Sequence, residues 1–193
     1  MSRRGLSLGI GLTNACDLSC AHCYRPQGPA LHLGLDEVRA CLDAFDVGSV
    51  NLGTGENLLN PALPAVLDEL HGRGVPTSLT SNGLSLLGLD EARLRRLHDV
   101  EVSIDFPDRA GLDAFRGEGV WDRTMAAIAR VRGLGIPVTV LAVLMSTNWD
   151  KLGAVAKLAA SLGATFRVNA YQPVHGTAHM PSWTQFWEGY RLL

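Results

Sequence analysis

Six alternations of a strand-like run with a helix-like run predict an α/β fold, a partial (β/α)6 TIM-like barrel with a parallel sheet and outer helices. Three observations carry this. Apolar runs lacking helical period alternate with stretches whose apolar residues recur at helical spacing. Gly74-Val75-Pro76-Thr77, Gly135-Ile136-Pro137-Val138 and Gly163-Ala164-Thr165-Phe166 each close a helix on glycine and enter a strand, an echo with the period of one βα unit. A closed eight-stranded barrel takes about 250 residues, so a chain of 193 suits six units left open. A doubly wound open sheet is the competing architecture.

The elements follow in order. Leu6 to Leu12 is apolar or small and suits a buried strand. Asp36 opens a helix in which Val38, Cys41, Leu42 and Phe45 share a face, so Cys41 is expected in the core. Ser49 to Leu52 is the second strand, and Pro61 opens a helix with an inward face of Leu63, Val66, Leu67 and Leu70. Pro76 to Thr80 is the third strand, Asp90 to Leu97 the next helix, and Val100 to Ile104 the fourth strand. A longer connection through Phe115-Arg116-Gly117 leads to a helix over Trp121 to Leu134. Val138 to Leu144 is a fifth strand rich in β-branched residues. Leu152, Val155, Ala156, Ala159 and Leu162 mark a helix, Thr165 to Ala170 the sixth strand, and Ser182 to Leu193 a final helix.

One domain, residues 1–193, is expected, since 47% hydrophobic residues can bury one substantial core. Net charge is -2 with Lys and Arg scattered, so neither nucleic acid nor a membrane surface is expected as a partner. Ser2-Arg3-Arg4 and Ala15-Cys16 superficially suggest an export signal and a lipoprotein site. The intervening apolar stretch is short and broken by glycine, so neither is predicted, and unpaired thiols fit a reducing cytoplasm.

The chemistry centres on Cys16-Asp17-Leu18-Ser19-Cys20-Ala21-His22-Cys23, which holds three of the chain's four cysteines directly after the first strand. Thiolates are soft ligands for iron–sulfur clusters or zinc. A closed structural zinc site takes four ligands, usually as two separated pairs, and no second pair exists here; His22 and His32 are the histidines available to complete one. A disulfide would leave strained loops and free thiols. Three cysteines on a four-iron cluster leave one iron open to another ligand.

The CxxxCxxC spacing of Cys16, Cys20 and Cys23 resembles the radical S-adenosylmethionine (radical SAM) superfamily. The resemblance implies a [4Fe-4S] cluster held by these cysteines and S-adenosyl-L-methionine chelating the open iron. It also implies reductive cleavage to a 5′-deoxyadenosyl radical that abstracts hydrogen from a substrate. Other residues fit by position. Thr54-Gly55-Glu56 is similar to the family's Gly-Gly-Glu element, with threonine in the first glycine's place and Asn57 where proline is common; Gly55 permits close approach and the Glu56 carboxylate would accept the methionine ammonium. Ser103 and Asp105 alternate on strand four and could share a ribose diol. Arg116 resembles the arginine that holds the methionine carboxylate, and Ser81-Asn82-Gly83 a family-like turn at the nucleotide.

His22 would meet adenine through its backbone, with Tyr24 and Arg25 shielding the cluster. Arg167, Asn169 and Tyr171 share one side of strand six, placing Asn169 and Tyr171 as contacts for adenine or substrate. His175 and His179 read as loop histidines. The run Val102-Ser103-Ile104-Asp105 with Arg116-Gly117 looks most like the peptide-modifying maturases of the SPASM/Twitch-type group, without their C-terminal cysteine-rich extension. The substrate is accordingly a peptide or a small molecule, and an electron donor such as a flavodoxin or ferredoxin is implied. The alternatives are a small-molecule enzyme of the deazapurine-synthase type and a non-catalytic cluster-binding or redox-sensing protein.

Overall fold

The computed structural model describes residues 5–25 and 28–193. Six strands form one sheet in the order β1-β2-β3-β4-β5-β6, with every pairing parallel. They are β1 (Leu6–Gly11), β2 (Val47–Gly53), β3 (Thr77–Ser81), β4 (Asp99–Ser103), β5 (Val138–Leu144) and β6 (Thr165–Ala170). Strand order equals chain order, which a doubly wound sheet would break by reversing direction at its midpoint. The sheet curls instead into an open six-stranded barrel wall.

Alternation along each strand sorts the residues onto two faces. Val50, Leu52, Leu79, Val100, Val102, Val140 and Ala142 point outward and are buried under helices. Many inward positions are polar: Asn51, Thr80, Glu101, Ser103, Arg167 and Asn169, with the apolar Leu141 and Val143 of β5, line a cavity on the concave side. The packed core therefore lies between sheet and helices, and the concave face is free for a ligand.

The helices are α1 (Leu35–Ala44), α2 (Leu63–Gly72), α3 (Leu84–Gly88), α4 (Glu91–Leu94), α5 (Arg109–Arg116), α6 (Val120–Gly133), α7 (Leu152–Ser161) and α8 (Trp183–Arg191). Leu63, Val66, Leu67 and Leu70 are all buried, as their spacing requires. The helix expected over Asp90 to Leu97 is a single turn, α4, with Asp90 capping Arg93 N–H at 2.9 Å. The turn after β3 holds α3, whose short Leu-Ser-Leu-Leu run carries too little period to be read. The connection through Phe115-Arg116 is helix α5, started by Asp108, whose carboxylate accepts the Gly111 N–H at 2.8 Å.

Cys41 is exposed, not in the core, and Phe45 is 53% exposed. Helix α1 packs against α2 with only Val38 and Leu42 buried, and it ends at Ala44, so Phe45 leaves the helical stripe in an extended conformation. Cys41→Ser is accordingly expected to change stability by no more than about 0.5 kcal/mol, whereas Leu42→Ala costs about 2–5 kcal/mol; thermal unfolding of both variants checks this. A large loss in Cys41→Ser would restore the cysteine to the core. Arg3 and Arg4, considered above as part of an export signal, lie outside the described residues. Among the described residues no helix is long and apolar enough to cross a membrane.

Candidate functional site

The loops that follow the strands gather at one mouth of the sheet, as βα geometry requires. There they surround a cavity of about 660 Å³. Cys16, Cys20, His22, Cys23, Gly55, Glu56, Ser81, Asn82, Ser103, Arg116, Asn169 and Tyr171 all line it. Asp105 alone of the candidate residues does not.

The cysteine loop is tied down on several sides. Arg25 donates from both terminal nitrogens to the carbonyls of Asn14 and Leu18, at 2.8 Å each. Asp17 receives Asn82 Nδ2 at 2.8 Å and pairs with Arg123 of α6. Sγ of Cys16 accepts the Leu18 N–H at 3.4 Å and lies 3.7 Å from Asn82 Nδ2. The sulfur of Cys20 lies 4.0 Å from Nη1 of Arg116. These donors suit sulfur ligands that carry negative charge. Burial pushes the Cys16 and Cys20 thiols up, while the Leu18 N–H and the Arg116 charge respectively oppose it; a bound metal centre must displace those protons.

Among the described residues, no three His, Cys, Asp or Glu side chains converge tightly enough for a single metal ion. The three thiols line one cavity. His32 is exposed and bridges to Thr13, away from the cavity. His22 turns inward: its ring packs on Phe115 at 4.9 Å between centroids and its Nε2 lies 3.8 Å from Oδ2 of Asp105. Burial drives its pKa down to about 4, so the imidazole is neutral at pH 7. A zinc site completed by these two histidines is not assembled.

The Thr54-Gly55-Glu56 turn folds under the cysteine loop. Gly55 has φ +65°, and a Cβ there would come within 2.4 Å of the Thr13 carbonyl oxygen and 2.5 Å of that of Ala15. Thr54 has φ +66°, a left-handed conformation costly for a β-branched residue. The backbone thus keeps a glycine's path although threonine occupies it, and Thr54 Oγ1 hydrogen-bonds with Tyr24 Oη at 3.1 Å.

The carboxylates of two candidate residues are engaged by the protein itself. Glu56 is fully buried. Its Oε1 accepts Ser81 Oγ at 2.6 Å, Ser85 N at 2.8 Å and Ser85 Oγ, and its Oε2 accepts Asn82 N at 2.9 Å. The carboxylate pins the β2 turn to the β3–α3 loop while Glu56 still borders the cavity. Asp105 is also fully buried and does not join Ser103 on the cavity wall. Strand β4 ends at Ser103, so alternation no longer applies two residues later. The Asp105 carboxylate instead accepts Arg116 Nε at 2.8 Å and Val143 N at 2.9 Å. Burial works most strongly against the Arg116 charge, but Asp105 together with Cys20 and Cys23 holds the guanidinium above its ordinary value.

Sequence reasoning missed several supports. Asn148, fully buried, donates to the carbonyls of Asp105 at 3.0 Å and Val143 at 2.9 Å, joining the ends of β4 and β5. Ser85 completes the Glu56 anchor. On the cavity floor, Glu101 takes Arg167 Nη1 at 2.6 Å and Thr80 Oγ1 at 2.8 Å. The signal for the last group was present as polar residues recurring on the inward faces of β3, β4 and β6. Tyr171 Oη donates to the Gly176 carbonyl at 2.8 Å, and His175 Nε2 lies 3.1 Å from the Arg25 carbonyl, so the loop after β6 leans on the cysteine loop.

The model of the radical SAM superfamily matches residues 10–159. The chain belongs to the radical SAM superfamily. Family membership implies a [4Fe-4S] cluster and S-adenosylmethionine as cofactors. Among radical SAM relatives, the mycofactocin maturase MftC of Mycobacterium tuberculosis (strain CDC 1551 / Oshkosh) is 30% identical over 171 residues, 84% of this chain and 44% of that protein. The PqqA peptide cyclase of Ruegeria pomeroyi is 31% identical over 180 residues, 86% of this chain and 47% of that protein. The chain therefore spans less than half the length of these curated relatives. Streptococcus suis SuiB, solved with bound S-adenosylmethionine, superposes with a TM-score of 0.78 at 17% identity, covering 96% of this chain and 46% of SuiB. That likeness bears out the partial barrel.

Proposed function

We propose that this chain is a radical SAM enzyme core, a single domain, that acts on a peptide in the cytoplasm. The observation that carries the reading is the meeting of three thiols, the Gly55 turn and Arg116 on one cavity. The peptide is supported by the names of the maturase and cyclase relatives and by the open concave face. When bound, the reduced cluster and S-adenosylmethionine supply a 5′-deoxyadenosyl radical able to abstract hydrogen from carbon.

Cys16, Cys20 and Cys23 would hold the cluster and leave it open to the nucleotide. Glu56, on the cavity wall, and the half-buried Thr54–Gly55 turn that it fixes in place would receive the methionine ammonium. Arg116 faces the cavity as partner for the methionine carboxylate, Ser103 serves the ribose, and Asn82 orders the cysteine loop. Asn169, Tyr171 and the His22 backbone border the adenine side. The electron comes from a donor such as a flavodoxin or ferredoxin.

The test is anaerobic reconstitution with iron and sulfide, then reduction with S-adenosylmethionine and chromatography of 5′-deoxyadenosine, beside Cys20→Ala. Cysteine-dependent nucleoside is expected, rising when a precursor peptide is added. A reconstituted cluster that yields no nucleoside under strong reduction would sink the enzyme reading.

A further inference from the structure

Arg116 occupies its position before any nucleotide arrives. Its side chain and that of Asp105 are 8% and 0% exposed. Asp105 grips one edge of the guanidinium, Nε at 2.8 Å and Nη2 at 2.6 Å, and is itself held by the Val143 N–H. The remaining nitrogen, Nη1, lies 4.0 Å from Sγ of Cys20. The pair is an oriented dipole whose positive end meets a cluster ligand. An exposed arginine would be screened by water and free to swing away; this one is locked.

We infer that Arg116, held in place by Asp105, is a fixed positive charge that stabilises the reduced iron–sulfur cluster. The inference rests on the reading that the three cysteines hold a four-iron cluster. Adding one electron places another negative charge on a centre that three thiolates already make anionic. Hydrogen bonding to the sulfurs and local charge are the levers by which a protein sets cluster potential. Among the described residues, Arg116 is the cation that acts on Cys20. The neighbouring His22 ring is stacked on Phe115, and Arg25 spends its donors on the Asn14 and Leu18 carbonyls. Arg116 is thus a positioning residue for reduction as well as a candidate ligand for the nucleotide.

The experiment is an EPR-monitored titration with dithionite of the reconstituted full chain, without S-adenosylmethionine, so that carboxylate binding plays no part. Arg116→Gln is expected to shift the one-electron equilibrium at least tenfold toward the oxidised form, a fall of about 59 mV or more in midpoint potential. Arg116→Lys, which keeps the charge, recovers most of that fall. The double variant Asp105→Asn with Arg116→Gln has no unpaired buried carboxylate, so it guards against misfolding; its potential stays below wild type because the sulfur has lost its donor. Wild-type potentials in Arg116→Gln and the double variant, whatever their melting temperatures, would overturn the inference. If the wild-type chain fails to assemble a four-iron cluster, iron content and absorbance reveal it before any titration, and the reading beneath the inference falls instead.

Discussion

Replacing Asp105 with alanine is expected to lower folding stability by about 3–5 kcal/mol, the cost of leaving one partner of a buried ion pair uncompensated. Asp105 has no solvent exposure and Arg116 almost none, so water cannot take over the role of the lost carboxylate. The Val143 N–H loses its acceptor in the same step, loosening the β4–β5 junction that Asn148 also clamps. Urea unfolding of wild type and variant gives the difference. The double change Asp105→Ala with Arg116→Met is expected to recover most of the loss, because an apolar pair of similar volume has no charge to strand. A loss below about 1 kcal/mol in Asp105→Ala would mean that the pair behaves like a surface salt bridge.

Gly55→Ala is the second large effect. Any L-residue at φ +65° pays about 1–2 kcal/mol, and here the new methyl also meets two carbonyl oxygens of the cysteine loop at 2.4 and 2.5 Å. Those oxygens belong to backbone and cannot rotate aside. The Glu56 N–H donates to the Ala15 carbonyl at 2.8 Å, so relieving the overlap breaks the joint between the Gly55 turn and the loop that carries Cys16. A loss of several kcal/mol and poor cluster assembly are expected, read by thermal unfolding and by iron bound after reconstitution. Gly74→Ala is the control. Gly74 has φ +64° with nothing near the added methyl, so it reports the dihedral cost alone, about 1–2 kcal/mol. Equal losses at the two positions would remove the steric argument.

Much of this was legible in the chain. Buried parallel strands announce themselves as short apolar runs, and β5 and β6 lie over Val138–Leu144 and Thr165–Ala170 as expected. The long helices show their period, and the cysteine spacing marks a cluster loop because three soft ligands so close together have few other uses. What escaped was short or marginal: α3 and α4 hold about one turn each, and α5 has a single buried residue, Leu112. Cys41 was misplaced because helical period tells which residues share a face but not how much of that face is covered.

The sequence by itself determined the strand order, the parallel barrel wall, the cysteine loop and the presence of polar residues after nearly every strand. Only the tertiary structure decided which of those polar groups face a ligand and which face each other. Glu56 and Asp105 both follow strand ends, yet Glu56 borders the cavity while held by Ser81, Asn82 and Ser85, whereas Asp105 lies behind the wall, held by Arg116 and Val143. A buried carboxylate must find donors wherever the fold brings them. Those donors are set by long-range packing, which local spacing does not encode.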